Sequence, residues 1–437
     1  LKIRNKDVAV PLISILLFFV INFEKALAAP ILENPPIRVR LETALHQVEL
    51  DGLGFQIRGR EKVFQPVAIP QRQHIQIRRE LMNGHAVWKV LRSPSQQTEI
   101  ITDELLAIKA IEIRHQGKLL PNQVFLSSHS ALKFDVIGVL PLENYLVGVL
   151  ASEMPLSWPL ETLKAQAIAA RSYALVTMKE RARQPFHVES SVLDQVFSHI
   201  GNEVDESPLI AKAKEAVRAT AGYVLLAEKG KLLKAYYHSD CGGKTANGPN
   251  VWGMGPQTGS AIDASCPNSP KARWTLQISE STLVEKLKVF LRKPGLGSLL
   301  SLQLIRPSAT DRVDKVELVW EGGQKTLIRA HEFRSSLGFD QFRSTLFDFQ
   351  KNQNNYTFTG QGFGHGVGLC QWGARELGKQ GQTFQQILFH YYSKAELVSG
   401  PLLAELLAEK KAERKSDLNS QLKSQLKIEL EPEVQTR

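Results

Sequence analysis

The chain is expected to be an α+β protein, one large mixed helix/sheet domain preceded by a small β-rich segment. Three observations predict this. Short stretches near the start alternate apolar and polar residues with the period of strands. From about residue 117 the apolar segments lengthen and take helical spacing. The last stretch, from residue 401, is rich in Lys, Glu, Gln and Leu and has no aromatic residue. Apolar residues make up 43% of the 437 residues and charged residues 22%, an ordinary globular composition over a length that accommodates more than one core.

Residues 1–28 read as a secretory signal: Lys2, Arg4 and Lys6, an apolar run from Val8 to Ile21, then Ala26-Leu27-Ala28. A membrane anchor is the other reading, although the run is short for a span of about 20 residues. A cleaved signal leaves no stable membrane span and sends the protein to the periplasm, the cell wall or the medium. Export removes nucleic acid from the partners that a formal charge of +10 would otherwise invite.

The region 30–116 supplies strand candidates at 37–41 (IRVRL), 53–59 (LGFQIRG) and 74–80 (HIQIRRE). In the domain at 117–400, Leu142 to Leu150 has helical spacing with Glu143 on the polar side. A second helix is expected from an N-cap at Ser157 through Glu180, with Pro159 and Glu161 in its first turn. Further helices are expected at 208–219, 283–292 and 371–379, and strands at 222–228, 231–237 and 356–360. The tail, 401–437, reads as a charged helix or a disordered segment.

Four segments carry chemistry. In Ala151-Ser152-Glu153-Met154-Pro155, a carboxylate lies where a proline stops a helix. Its apolar neighbours Leu150, Met154 and Trp158 would raise its pKa, as a general acid requires. A structural, ion-paired Glu is the alternative. Lys164 and Arg171 are seven residues apart on one helical stripe, placed to pair Glu153, to hold an acidic sugar, or to face solvent. Tyr237 to Thr245 (YHSDCGGKT) sets a His and a Cys beside a glycine pair. It allows a Cys-His nucleophile, zinc bound by His238, Cys241 and Cys266, or a Cys241–Cys266 disulfide. Finally, glycine occupies every second position from Gly360 to Gly368 around His365, followed by Gln371 and Trp372. That spacing fits neither a dinucleotide loop nor a P-loop. It permits close backbone approach, with His365 as donor or shuttle and Trp372 as a face for a sugar ring.

Together these segments resemble the family of the stage II sporulation protein D and the amidase enhancer of bacterial autolysin systems. The resemblance runs from about 120 to 395. It is carried by LENYLVGVLASEMPLSWPLETLKAQAIAARSYAL (142–175), DQVF (194–197), YHSDCGGKT and GQGFGHGVGLCQWGA (360–374). It implies a lytic transglycosylase that cleaves the bond between N-acetylmuramic acid and N-acetylglucosamine in peptidoglycan, preferring strands stripped of stem peptides. Glu153, in the matching S-E-M-P motif, would be its acid. Arg171, His238, His365, Gln371 and Trp372 would line the glycan groove. The implied partners are glycan strands and an N-acetylmuramoyl-L-alanine amidase. No cofactor is required, although the resemblance also associates zinc with the segment holding His238 and Cys241. Some relatives look like non-catalytic amidase modifiers, which gives the alternative function. Phe363 and Cys370 stand where the family usually has Trp and Ser.

Overall fold

A computed structural model describes residues 34–400, apart from 60–70, 94–96, 103–104, 202–206, 254, 256–257, 264–268, 271 and 308–310. The signal at 1–28, the tail at 401–437 and Cys266 lie outside the described residues. One unit comprises Pro36–Thr220 and Val224–Leu397. The other segments, Leu1–Pro35, Ala221–Tyr223 and Val398–Arg437, consist mostly of residues outside the description.

The alternating segments form two six-stranded sheets. The first runs Val188–Glu189, Pro36–Leu45, Phe134–Pro141, Gln123–Ser128, Leu105–Lys109, Gln56–Gly59; the second runs Gln97–Ile101, His85–Ser93, Arg72–Met82, Gln47–Leu53, Glu112–His115, Lys118–Leu120. Period-two burial is plain in Gln47–Leu53, where Val48 and Leu50 point inward between exposed neighbours. The inward faces meet in one apolar cluster, with Val48, Ile75, Ile77, Trp88 and Ile113 from the second sheet against Leu106, Ile108, Val124, Leu126 and Phe134 from the first. The division at residue 117 therefore passes through a shared core: Pro36–Leu45 pairs with Phe134–Pro141, placing Val39 opposite Gly138. Alternation identifies a strand, whereas its partner depends on contacts far away in sequence.

The strand ending at Pro141 leads directly into helix α1 (Leu142–Glu153). Pro155 ends that helix by forcing the residue before it into an extended conformation, seen at Met154 with φ −150° and ψ 155°. Helix α2 (Leu160–Glu180) is capped by Pro159 rather than Ser157; the Pro159 carbonyl accepts from Thr162 and Leu163. The small residues Ala165, Ala167, Ala169, Ala170 and Ala174 are all buried on α2, which packs on α1 and on α3 (Pro208–Ala219). After a short helix α4 (Gly248–Trp252), residues 273–361 form a second core. There, two three-stranded sheets and helices α5 (Glu280–Leu291) and α6 (Ala330–Leu337) enclose Leu283, Leu287, Trp320, Phe333, Phe342 and Phe358. The chain then returns to α2 through α7 (Gln371–Lys379) and α8 (Phe384–Tyr391). Thr162 Oγ1 donates to the Ala374 carbonyl, and Glu161 accepts from the Phe384 amide. The first turn of α2 thus holds the element that begins with Gln371. No helix among the described residues is long and apolar enough to cross a membrane.

Candidate functional site

Two segments about 130 residues apart in sequence form its floor. Tyr237–His238 pairs in parallel with Leu369–Cys370, and isolated bridges join Asp240 to Phe363 and Ala246 to Val367. The alternating glycines make this approach possible. Gly362, Gly364, Gly366 and Gly368 all have positive φ, a region costly for other residues. A Cβ at Gly364 would lie 2.6 Å from His238 Cβ, and one at Gly368 would lie 2.0 Å from the Tyr236 carbonyl oxygen.

Glu153, the last residue of α1, reaches this floor and is partly buried. Its Oε1 accepts from the Val196 amide at 2.8 Å and from Tyr237 Oη at 3.4 Å, and its Oε2 accepts from Gln371 Nε2 at 3.3 Å. All three donors are neutral, and Glu153 forms no ion pair among the described residues. Burial pushes its carboxyl above the usual range; the hydrogen bonds from Val196, Gln371 and Tyr237 oppose that shift without cancelling it. Tyr237 is itself held by Gln195, whose Nε2 donates to the Tyr237 oxygen at 3.0 Å and whose Oε1 accepts from Tyr145 at 3.0 Å.

The expected site residues divide. Gln371 touches Glu153. His365 lines a cavity of about 320 Å³ together with Tyr173, Tyr236, Tyr237, Trp252 and Phe339, and its ring lies 5.2 Å from that of Trp252. Burial first, then His238 nearby, holds the His365 imidazole well below the ordinary histidine range. It is therefore neutral; Nδ1 accepts from the Val367 amide at 3.0 Å, leaving the proton on Nε2. Trp372 packs edge-on against Trp158 at 5.1 Å, with Arg375 over its face at 4.9 Å.

Arg171 does not join the site. It is 1% exposed and grips Glu143 with two hydrogen bonds of 2.8 and 2.7 Å, tying α2 to α1, while Lys164 pairs with Glu161. Helical spacing placed both on one stripe, but Glu143 and Glu161 lie within reach and Glu153 faces elsewhere. Tyr237, Gln195 and the Val196 amide were absent from the expected set. Their signal was present in the segments YHSDCGGKT and DQVF, both read for other features.

His238, Cys241 and Cys370 are buried, and their ligand atoms lie within 4.8 Å of one another. His238 Nδ1 lies 3.1 Å from the Val367 carbonyl oxygen, so it carries the proton and Nε2 presents a lone pair. Asp263 approaches the same group, with Oδ2 3.8 Å from Cys241 Sγ.

Residues 130–226 match the family model described as stage II sporulation protein, and 262–368 match a domain of unknown function (DUF8618). An uncharacterized protein of Brachyspira hyodysenteriae is 31% identical over 60% of this chain and 68% of its own length. The stage II sporulation protein D of Bacillus amyloliquefaciens is 31% identical over 59% of this chain and 74% of its own. The amidase enhancer of Bacillus subtilis is 28% identical over 58% of this chain and 40% of its own. Glu153 lies inside the stretch matched by the family model, and with relatives at this identity and coverage the chain belongs to the stage II sporulation protein D family.

Proposed function

We propose that the protein is exported and cleaves peptidoglycan glycan strands as a lytic transglycosylase, with Glu153 acting first as acid and then as base. The observation that carries this reading is one carboxyl group raised in pKa by burial, held by neutral donors and in no ion pair among the described residues, whereas Asp194, the carboxylate lining the adjacent cavity, is tied up by Arg181. Among the described residues its Oε2 accepts one hydrogen bond, against two at Oε1, so the proton is best placed there. That proton passes to the oxygen between muramic acid and glucosamine, and the bond from that oxygen to muramyl C1 breaks. The carboxylate so formed removes the proton from the muramyl C6 hydroxyl, whose oxygen closes on C1 as a 1,6-anhydro ring. Water is not consumed, and Glu153 returns to its protonated state. A hydrolase would ordinarily need a second carboxylate to activate water. The adjacent cavity, walled by Tyr173, Tyr236, Tyr237 and Trp252, offers apolar faces for sugar rings. Incubation with purified, stem-peptide-free strands is expected to release 1,6-anhydro-muramyl ends.

The second reading is a wall-binding module that stimulates an amidase, favoured by the likeness to an amidase enhancer. It keeps the cleft without the bond cleavage. Absence of anhydro ends, with acceleration of an N-acetylmuramoyl-L-alanine amidase on intact sacculi, decides for it.

Tyr237 tunes the acid. Its hydroxyl favours the charged form of Glu153, so Tyr237→Phe raises the Glu153 pKa further. The alkaline limb of the pH–rate profile is expected to move to higher pH. The lost hydrogen bond, worth about 1 kcal/mol at this length, slows turnover roughly fivefold. An unmoved limb contradicts this role.

The residues also fit a zinc ion. Two sulfurs and an imidazole nitrogen are its preferred donors, and the Nδ1 contact of His238 fixes the ring as it does in metal sites. His238, Cys241 and Cys370 would hold the metal, which would supply a structural cross-link between the two floor strands. Elemental analysis should find about one zinc per chain. Cys370→Ser should lower that content and the melting temperature together; a metal-free wild type of unchanged stability would dismiss the site.

A further inference from the structure

A second cavity, of about 980 Å³, shares no lining residue with the aromatic one. Its described wall carries four basic residues, Lys244, Arg273, Arg306 and Arg312, against two acidic ones, Asp311 and Asp348. The basic residues have unequal roles. Arg306 is engaged by Asp348 and by the carbonyls of Asp311 and Phe347. Arg312, 4% exposed, donates to the carbonyls of Cys241 and Lys244 and so braces the wall. Lys244 and Arg273 are exposed and form no ion pair among the described residues. Their backbones are nonetheless fixed, Lys244 by a bridge to Ile262 and Arg273 by pairing with Gln361. Two anchored cations thus present open charge to a cavity at the upper end of ligand-pocket volumes.

The two cavities are linked by the chain itself. Tyr237 lines the aromatic cavity and Gly242 the basic one, five residues apart and so at most about 18 Å along the backbone. His365 and Gln361 repeat the relation on the neighbouring segment. A linear polymer of a few sugars is long enough to span that separation. We propose that the basic cavity binds a carboxylate-bearing stretch of the glycan strand that Glu153 cleaves, gripping the muramyl acid groups through Lys244 and Arg273. This rests on the glycan reading above and extends it to a second contact region with its own chemistry.

The test uses Glu153→Gln protein, so that strands stay uncut, and compares stem-free strands with the same strands after their carboxyls are reduced to alcohols. Native strands are expected to bind about tenfold more tightly than reduced ones, as two exposed ionic contacts would allow, with the gap closing at high salt. The further substitutions Lys244→Gln and Arg273→Gln should abolish the preference without changing the melting temperature. Equal binding of native and reduced strands, or a preference that survives the two substitutions, overturns the assignment and leaves the cleavage reading intact. Failure of every strand to bind removes both. Preference for a phosphodiester polymer over glycan also overturns it.

Discussion

Glu153→Gln is expected to abolish formation of anhydro ends, by at least about a thousandfold, because the carboxylate lining the adjacent cavity, Asp194, is held in an ion pair by Arg181 and does not replace it in the two proton transfers. The fold should survive. Glutamine retains an oxygen for the Val196 and Tyr237 donors, and no ion pair is broken. The sign of the stability change follows from the raised pKa. The folded state binds the Glu153 proton more tightly than the unfolded state, so this group lowers stability as pH rises from the unfolded value through the folded one. Above that window the wild type carries a buried charge and glutamine does not. The variant should therefore be at least as stable as the wild type near neutral pH, with its advantage gone at low pH, where both side chains are neutral. In the wild type, activity should fall as pH rises through the folded value, the upper edge of that window. A destabilised variant at neutral pH would place Glu153 in a structural role.

Gly368→Ala is expected to cost at least about 3 kcal/mol and to remove activity. The position has φ 69°, and the new methyl would meet the Tyr236 carbonyl oxygen at 2.0 Å. That carbonyl also accepts from Leu369 and from the Tyr392 hydroxyl. Relieving the clash means parting the strands that carry Tyr237 and Cys370. Gly381→Ala is the control: it has a similar φ of 80° with nothing within 4 Å, so it should cost only about 1 kcal/mol from the left-handed backbone. Equal losses of stability in the two variants would show that backbone conformation, not close approach, demands glycine in the loop.

Local pattern made the helices and many strands readable. The α7 helix runs from Gln371 to Lys379 as its spacing requires, and HIQIRRE lies inside the strand Arg72–Met82. Pairing was less legible. Nothing in the 37–41 stretch announces Phe134–Pro141 as its neighbour, because strand alternation fixes a face and not a partner. The carboxylate at 153 stood out because Pro155 closes its helix. Its partner Tyr237 did not, since a tyrosine beside a histidine becomes a site residue only once Leu369–Cys370 pairs alongside it. Arg171 shows the reverse: a charge on a promising stripe is taken by Glu143, the nearer acid.

Whether one carboxyl serves as acid and then base without water is decided by digesting stem-free strands in water enriched in heavy oxygen and weighing the new ends. The expected termini are 1,6-anhydro-muramyl ends carrying no label. Labelled reducing ends would reveal hydrolysis and a second activating group, contradicting that single-carboxyl mechanism.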